Sequence, residues 1–210
     1  MNIDWELREA GQPDGESTVL LLPGGMCSAG AYAELMAEPA LAATRLIAAT
    51  LPGHAGTPPP DDYSIENYAR LAIELAKEVE ADVVVGFSMG ASVALEMVTS
   101  GGFAGPAVLL GISLSAKDEP PFFRAIVRLG SLPVTALAKG AASMVKRIPV
   151  SAERQAEMRE DLRRNDPQHL RHALDEYLAN AHLGDGSGQR VLPPERGTRT
   201  DRGHDPGGRP

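Results

Sequence analysis

The sequence predicts an α/β fold, a mostly parallel sheet with helices on both faces. Three observations carry this. Four short runs rich in apolar and β-branched residues recur within the first 112 residues, bounded by Gly or Pro. Near-continuous apolar runs of that length suit strands buried on both faces. Between them lie segments whose apolar residues repeat every 3.6 positions, and strand–helix alternation implies parallel strands joined by covering helices.

The runs are Ser17–Leu22 ending at Pro23-Gly24-Gly25, Arg45–Leu51 ending at Pro52-Gly53, Asp82–Val85 ending at Gly86, and Ala107–Ile112. An edge strand is expected around Trp5–Arg8, and a short helix near Ala31–Met36. In Ser64–Glu80, Ile65, Tyr68, Ala69, Ala72, Leu75, Ala76 and Val79 share one helical face. Ser64 or Asp62 can cap its first N–H groups, and Glu66 suits the same dipole end. Ala91–Thr99 reads as a further helix. Beyond residue 120 the rhythm changes to helices alone. Ser151 is placed to cap Ala152–Arg164, and Asp166-Pro167 is a start signal for a helix carrying Leu170, Leu174, Tyr177, Leu178 and Ala181 on one face. Residues 184–210 hold seven Gly and four Pro and no apolar period, so disorder is expected there. The expected organisation is a core over 1–120, a helical cover over 121–183 and a tail over 184–210.

Composition excludes several functions. The chain has 210 residues, 43% hydrophobic and 23% charged, within the range of one globular domain. A net charge of −8 argues against nucleic acid, which needs a basic face. No apolar run approaches the roughly 18 residues of a membrane span. The start, MNIDWELREA, lacks a signal peptide's apolar stretch, so a cytoplasmic location is expected. The single cysteine, Cys27, forms no internal disulfide and reads as a small loop residue. No phosphate loop, dinucleotide fingerprint or zinc spacing is present, so no cofactor and no metal are expected.

The chemistry-bearing motif is Gly86-Phe87-Ser88-Met89-Gly90, a G-x-S-x-G pentapeptide entered from a buried strand and left by a helix. A serine at such a turn sits in a strained conformation. The residues two before and two after must be tiny for the chain to fold back, which accounts for Gly86 and Gly90. The turn lifts the Ser88 hydroxyl above the carboxyl edge of the sheet, where open α/β sheets bind ligands. The helix that follows aims its N-terminal N–H groups at developing negative charge. After the first core strand, the Gly-rich loop Pro23-Gly24-Gly25-Met26 can present a backbone N–H. With the N–H of Met89 it makes a two-donor oxyanion hole, with Gly25 the preferred loop donor and Met26 the next choice.

On LLLPGGMCSAGAY, LPGHAGTPPP and VVVGFSMGASVALE, together with the helical stretch RRNDPQHLRHALDEYL, the sequence resembles the α/β-hydrolase fold superfamily, small esterase-like members above all. The resemblance covers about residues 3–182. It implies Ser88 as nucleophile, Gly25 and Met89 as oxyanion donors, and a small-molecule acyl substrate such as an ester or thioester. His54 matches a family turn, not the catalytic histidine.

The family order is serine, then acid, then histidine, with the last two after two further core strands. No strand-like run follows Ile112. His169 and His172 lie three apart in one helix, a spacing open to a metal but without a third ligand, and His182 ends that helix. His204, between Asp201 and Asp205, is in the right order but sits in the Gly/Pro/Arg tail, and Asp118 is an acid candidate with no histidine to orient. The composition change near residue 183 therefore reads as loss of the authentic C-terminal part by frameshift or truncation. Three functions stay open: an esterase-like hydrolase, a catalytically incomplete remnant that binds a small apolar ligand, and a family cousin with non-ester chemistry. Self-association through an unpaired sheet edge is also expected.

Overall fold

The computed structural model describes residues 3–112, 140, 142, 143 and 145–181. Five strands form one sheet in the order β1-β3-β2-β4-β5. They are β1 (Leu7–Ala10), β2 (Thr18–Leu22), β3 (Arg45–Ala49), β4 (Val83–Phe87) and β5 (Ala107–Leu110). β1 runs antiparallel to β3, and every other pair is parallel. The helices are α1 (Ala33–Met36), preceded by a 3-10 turn over Ala29–Tyr32, α2 (Ile65–Glu78), α3 (Met89–Thr99), α4 (Ala152–Arg164) and α5 (Pro167–Ala181).

The expected mostly parallel sheet is therefore present. The edge strand lies two residues further on than Trp5–Arg8, because Glu9 and Ala10 pair with Ile47 and Leu46. The fourth strand stops at Leu110, two residues before Ile112. α3 begins at Met89 instead of Ala91, so the helix starts directly after the serine. The 113–139 part of the expected cover and the 184–210 tail lie outside the described residues.

Strand alternation divides the core. Leu20, Leu22, Ile47, Ala49 and Val84 face α2 and α3, where they meet Tyr68, Leu75, Val93 and Met97. Leu21, Leu46 and Ala48 face the other way, against Ala29 and Tyr32. Each aliphatic side chain buried this fully contributes roughly 1.5–3 kcal/mol. On α2 Tyr68, Ala69, Ala72, Leu75 and Ala76 of the expected face are buried, Ile65 is half-buried, and Leu71 joins them. Ser64 makes the cap, its hydroxyl accepting from the Asn67 N–H at 3.2 Å, while the Asp62 carboxylate accepts from Ser64.

Register brings three loops side by side at the carboxyl edge. Leu22 lies opposite Gly86, and Leu21 opposite both Ala48 and Val85. The chain leaving β2 (Pro23–Met26), β3 (Thr50–Gly56) and β4 (Ser88) therefore emerges at neighbouring positions. β2 stands between β3 and β4, the point at which the chain switches direction across the sheet. A ligand crevice belongs there.

Candidate active site

Ser88 occupies the turn between β4 and α3 with φ +52° and ψ −116°. A non-glycine residue held there carries strain of about 1–3 kcal/mol. The surrounding backbone holds it. The Ser88 N–H donates to the Leu110 carbonyl at 2.8 Å, and the Ser88 carbonyl accepts from Ala91 at 2.9 Å and Ser92 at 3.2 Å. Its side chain makes no capping bond and is partly exposed.

The flanking glycines are required by contact. A Cβ on Gly86 would fall 2.5 Å from the Gly90 carbonyl carbon and 2.6 Å from the Ala91 Cα. One on Gly90 would fall 2.6 Å from both the Leu22 carbonyl carbon and the Pro23 carbonyl oxygen. No rotamer relieves a clash with backbone, so β4, α3 and the end of β2 approach this closely only with glycine at both positions. Tyr32 supports the same point from beneath, its hydroxyl donating to the Leu22 carbonyl at 2.8 Å.

The loop after β2 faces the serine. The Gly24 Cα is so placed that an added Cβ would touch the Ser88 Cβ at 3.3 Å and the Phe87 ring at 3.2 Å. At Gly25 an added Cβ would meet the Met89 sulfur at 3.5 Å and the His54 Cε1 at 3.9 Å. Gly25 and Met89 thus lie across from one another beside Ser88. Met89 is the first residue of α3, a position whose N–H has no intrahelical partner. Met26 is a different case. Its N–H donates to His54 Nδ1 at 3.1 Å, so it is not free to receive an oxyanion. That leaves Gly25, the first of the two loop donors expected from sequence, whose N–H has no acceptor among the described residues.

His54, in the turn the resemblance marks out, is buried, 2% exposed. Burial pushes its pKa down to about 4, so the ring is neutral at neutral pH. Since Nδ1 accepts, the ring proton resides on Nε2, which is buried and finds no hydrogen-bond partner among the described residues. Cys27 is not a nucleophile. Burial, reinforced by the Asp161 carboxylate and partly offset by Arg154, pushes its thiol up to about 11.

α4 is fastened to these loops by polar side chains. The buried Arg154 guanidinium donates to the Gly30 carbonyl, to Glu34 at 2.9 Å and to Glu157 at 2.8 Å. Ser28 donates to Asp161, and Arg164 pairs with Glu6 at 2.9 Å. At the end of α4, Asn165 Nδ2 donates to the Asp161 carbonyl at 2.8 Å and to the Met26 carbonyl at 2.9 Å. Asn165 Oδ1 accepts from the Ala55 N–H at 2.9 Å. Sequence reasoning missed Asn165. Its local signal was only that of a residue between two helices.

The remaining candidates lie elsewhere. The His169 and His172 rings lie against Tyr63, with centroids 6.4 and 5.7 Å away. Among the described residues no group of three or more His, Cys, Asp or Glu could hold a metal ion. Asp118, His182, Asp201, His204 and Asp205 lie outside the described residues. No helix among the described residues is long and apolar enough to cross a membrane.

A strand, a strained serine between two obligatory glycines, and a helix aimed at a facing Gly-rich loop define a class of fold, the α/β hydrolases. The chain belongs to the alpha/beta hydrolase family, whose sequence model matches residues 19–206. No curated protein matches the chain by sequence. Among solved structures it is similar to a candidate aryl esterase from Burkholderia cenocepacia, with 19% identity and a TM-score of 0.65, covering 80% of this chain and 66% of that one. It is also similar to the N-acyl homoserine lactonase AidH bound to N-butanoyl homoserine, with 21% identity and a TM-score of 0.61, covering 87% and 71%. A third is 1H-3-hydroxy-4-oxoquinoline 2,4-dioxygenase, with 18% identity and a TM-score of 0.65, covering 86% and 70%. The chain therefore spans 66–71% of the length of these structures, and at such identities the likeness is one of fold.

Proposed function

We propose that the chain carries the nucleophile and oxyanion hole of a serine hydrolase acting on small esters, thioesters or related acyl compounds. The observation that carries this reading is the placement of Ser88, strained and partly exposed, beside the facing Gly25 and Met89. In the proposed reaction Ser88 Oγ bonds to the acyl carbon and its proton passes to a general base. The carbonyl oxygen becomes an oxyanion held by the Gly25 and Met89 N–H groups. The leaving alcohol or thiol departs with the proton, and water then releases the acid. Each oxyanion donor of this kind is worth about 3 kcal/mol of barrier. Two of the similar proteins, by name, act on acyl compounds, which favours such a substrate here.

The base lies outside the described residues in this proposal. His54 is occupied at Nδ1, and the His169 and His172 rings lie against Tyr63, the second of them stacked on it. His182 and His204 remain, both within the matched span. The lack of a base on Ser88 among the described residues favours one alternative, a catalytically incomplete chain that binds a small apolar ligand. Turnover of p-nitrophenyl butyrate and of a butyryl thioester by the wild-type chain, lost in Ser88→Ala, supports the hydrolase. A folded chain that turns over neither favours the binder. A cytoplasmic location and self-association are part of the same proposal. Among the described residues β5 is an edge strand with Val108 and Leu110 exposed, and lysine at both positions should lower the mass seen by light scattering if β5 pairs between copies.

A further inference from the structure

We infer that His54 and Asn165 are positioning residues that together set the orientation of the Gly25 N–H, so that the helical segment after the sheet controls the oxyanion loop. The inference rests on the hydrolase reading above and adds to it two residues and a role for α4.

Four non-glycine residues among those described have left-handed backbone: Met26, Ala55, Glu80 and Ser88. Three of the four meet at this site. Ser88 is held by backbone bonds to its own neighbourhood. Met26 (φ +71°) and Ala55 (φ +47°) are held by two buried side chains. Both peptides that flank Met26 are held, the Gly25–Met26 peptide at its N–H by His54 Nδ1 at 3.1 Å and the Met26–Cys27 peptide at its carbonyl by Asn165 Nδ2 at 2.9 Å. The same Asn165 side chain takes the Ala55 N–H at 2.9 Å, which ties the loop bearing His54 to the loop it holds. Strained residues persist where the surroundings over-determine them, and they gather where geometry matters.

The consequence falls on Gly25. In the turn from Gly24 to Cys27, closed by the Cys27 N–H on the Gly24 carbonyl at 3.2 Å, Gly25 and Met26 are the two central residues. The Gly25 N–H lies in the Gly24–Gly25 peptide, whose carbonyl accepts from the Cys27 N–H. The Cys27 N–H shares the Met26–Cys27 peptide with the carbonyl that Asn165 holds, and His54 holds the Gly25–Met26 peptide, so the planes on both sides of Gly25 are tied to the two side chains. The His54 ring abuts this glycine at its Cε1 and buries its Nε2 without a partner among the described residues. That unsatisfied donor is unfavourable for stability alone, and is consistent with a side chain retained for what Nδ1 holds.

The test uses the full chain. His54→Leu removes the acceptor, whereas His54→Asn restores an oxygen near the position of Nδ1. Asn165→Asp keeps an acceptor for Ala55 and loses the donor to Met26. Two readouts are taken: residue-resolved amide exchange, and kcat against KM on p-nitrophenyl butyrate. Exchange at Met26 is expected to quicken in His54→Leu and at Ala55 to stay slow in Asn165→Asp, with Leu20–Leu22 and Val83–Val85 unchanged. kcat should fall about 10²-fold in His54→Leu at unchanged KM, as misplacement of a reacting group by about 1 Å does, and recover in His54→Asn. Unchanged Met26 exchange in His54→Leu, or a fall in kcat that His54→Asn does not recover, overturns the inference. A wild-type chain without turnover overturns the hydrolase reading separately, and exchange at Met26 then still decides the bracket.

Discussion

The turn that carries Ser88 and the Gly-rich loop after β2 face each other across a few ångströms, yet they are built in opposite ways. The turn is assembled from one continuous stretch, β4, Ser88 and α3, and its close approaches are solved by removing side chains at Gly86 and Gly90. The loop after β2 is held by side chains from far along the chain, His54 at 28 residues' separation from Met26 and Asn165 at 139. Local strain can be written into a pentapeptide. Strain held by remote hydrogen bonds depends on the whole fold being in place, and it can be released without disturbing the motif.

That contrast predicts different responses to substitution. The largest effect belongs to the turn. Gly90→Ala drives a methyl into the Leu22 and Pro23 backbone and should lower unfolding free energy by about 3 kcal/mol or prevent folding, read by urea denaturation. A wild-type-like midpoint would show that β2 and α3 can part there, and the account of the turn would fail.

The loop should show its dependence on pH. His54 has its pKa lowered from 6.5 to about 4 by burial, so between those values the unfolded chain binds a proton that the folded chain refuses. Its contribution is complete above pH 6.5 and is lost as pH falls towards 4, by about 3 kcal/mol at 1.36 kcal/mol per pKa unit. The difference in urea stability between wild type and His54→Asn should therefore shrink or change sign between pH 7 and pH 4. A difference that is constant with pH would mean that His54 titrates normally.

Smaller again is Asn165→Leu, which leaves the Met26 carbonyl and the Ala55 N–H without their partner. A loss of about 2 kcal/mol is expected, and additional Met26→Gly should recover part of it by removing the strain that Asn165 holds in check. The smallest effect is Ser88→Gly. Glycine accepts φ +52° freely, so stability should rise by about 1 kcal/mol while acylation disappears. A destabilised Ser88→Gly would indicate that the serine's conformation is not strained.

Much of the fold and half of the site were legible in the residues. β2 and β3 were readable because strands buried on both faces need unbroken apolar runs, and β4 and β5 carry the same kind of run although Val108 and Leu110 of β5 are exposed. α4 and α5 announced themselves through Ser151 and Asp166, whose side chains do accept from Arg154 and from Gln168 and His169. The placement of Ser88 between Gly86 and Gly90 followed from the need for a tight turn. β1 was displaced by two residues because an edge strand with one buried face carries a weaker pattern, and Leu7–Ala10 is mostly exposed. Sequence ranked Gly25 ahead of Met26 as the loop N–H without a contact to decide between them. The Met26 N–H is taken by His54, a bond that depends on β2 and β3 being neighbours. Asn165 was invisible for the same reason, as its local setting, a helix end before Asp166-Pro167, reads only as a junction.

The most direct test of the central claim, that Ser88 is a nucleophile with an oxyanion hole ready beside it, is reaction of the purified chain with an alkyl fluorophosphonate, followed by intact mass with Ser88→Ala alongside. The account predicts one adduct per chain in the wild type, with fluoride displaced by Ser88 Oγ, and none in the variant. A folded wild-type chain that takes no adduct, or an equal adduct on Ser88→Ala, would contradict it.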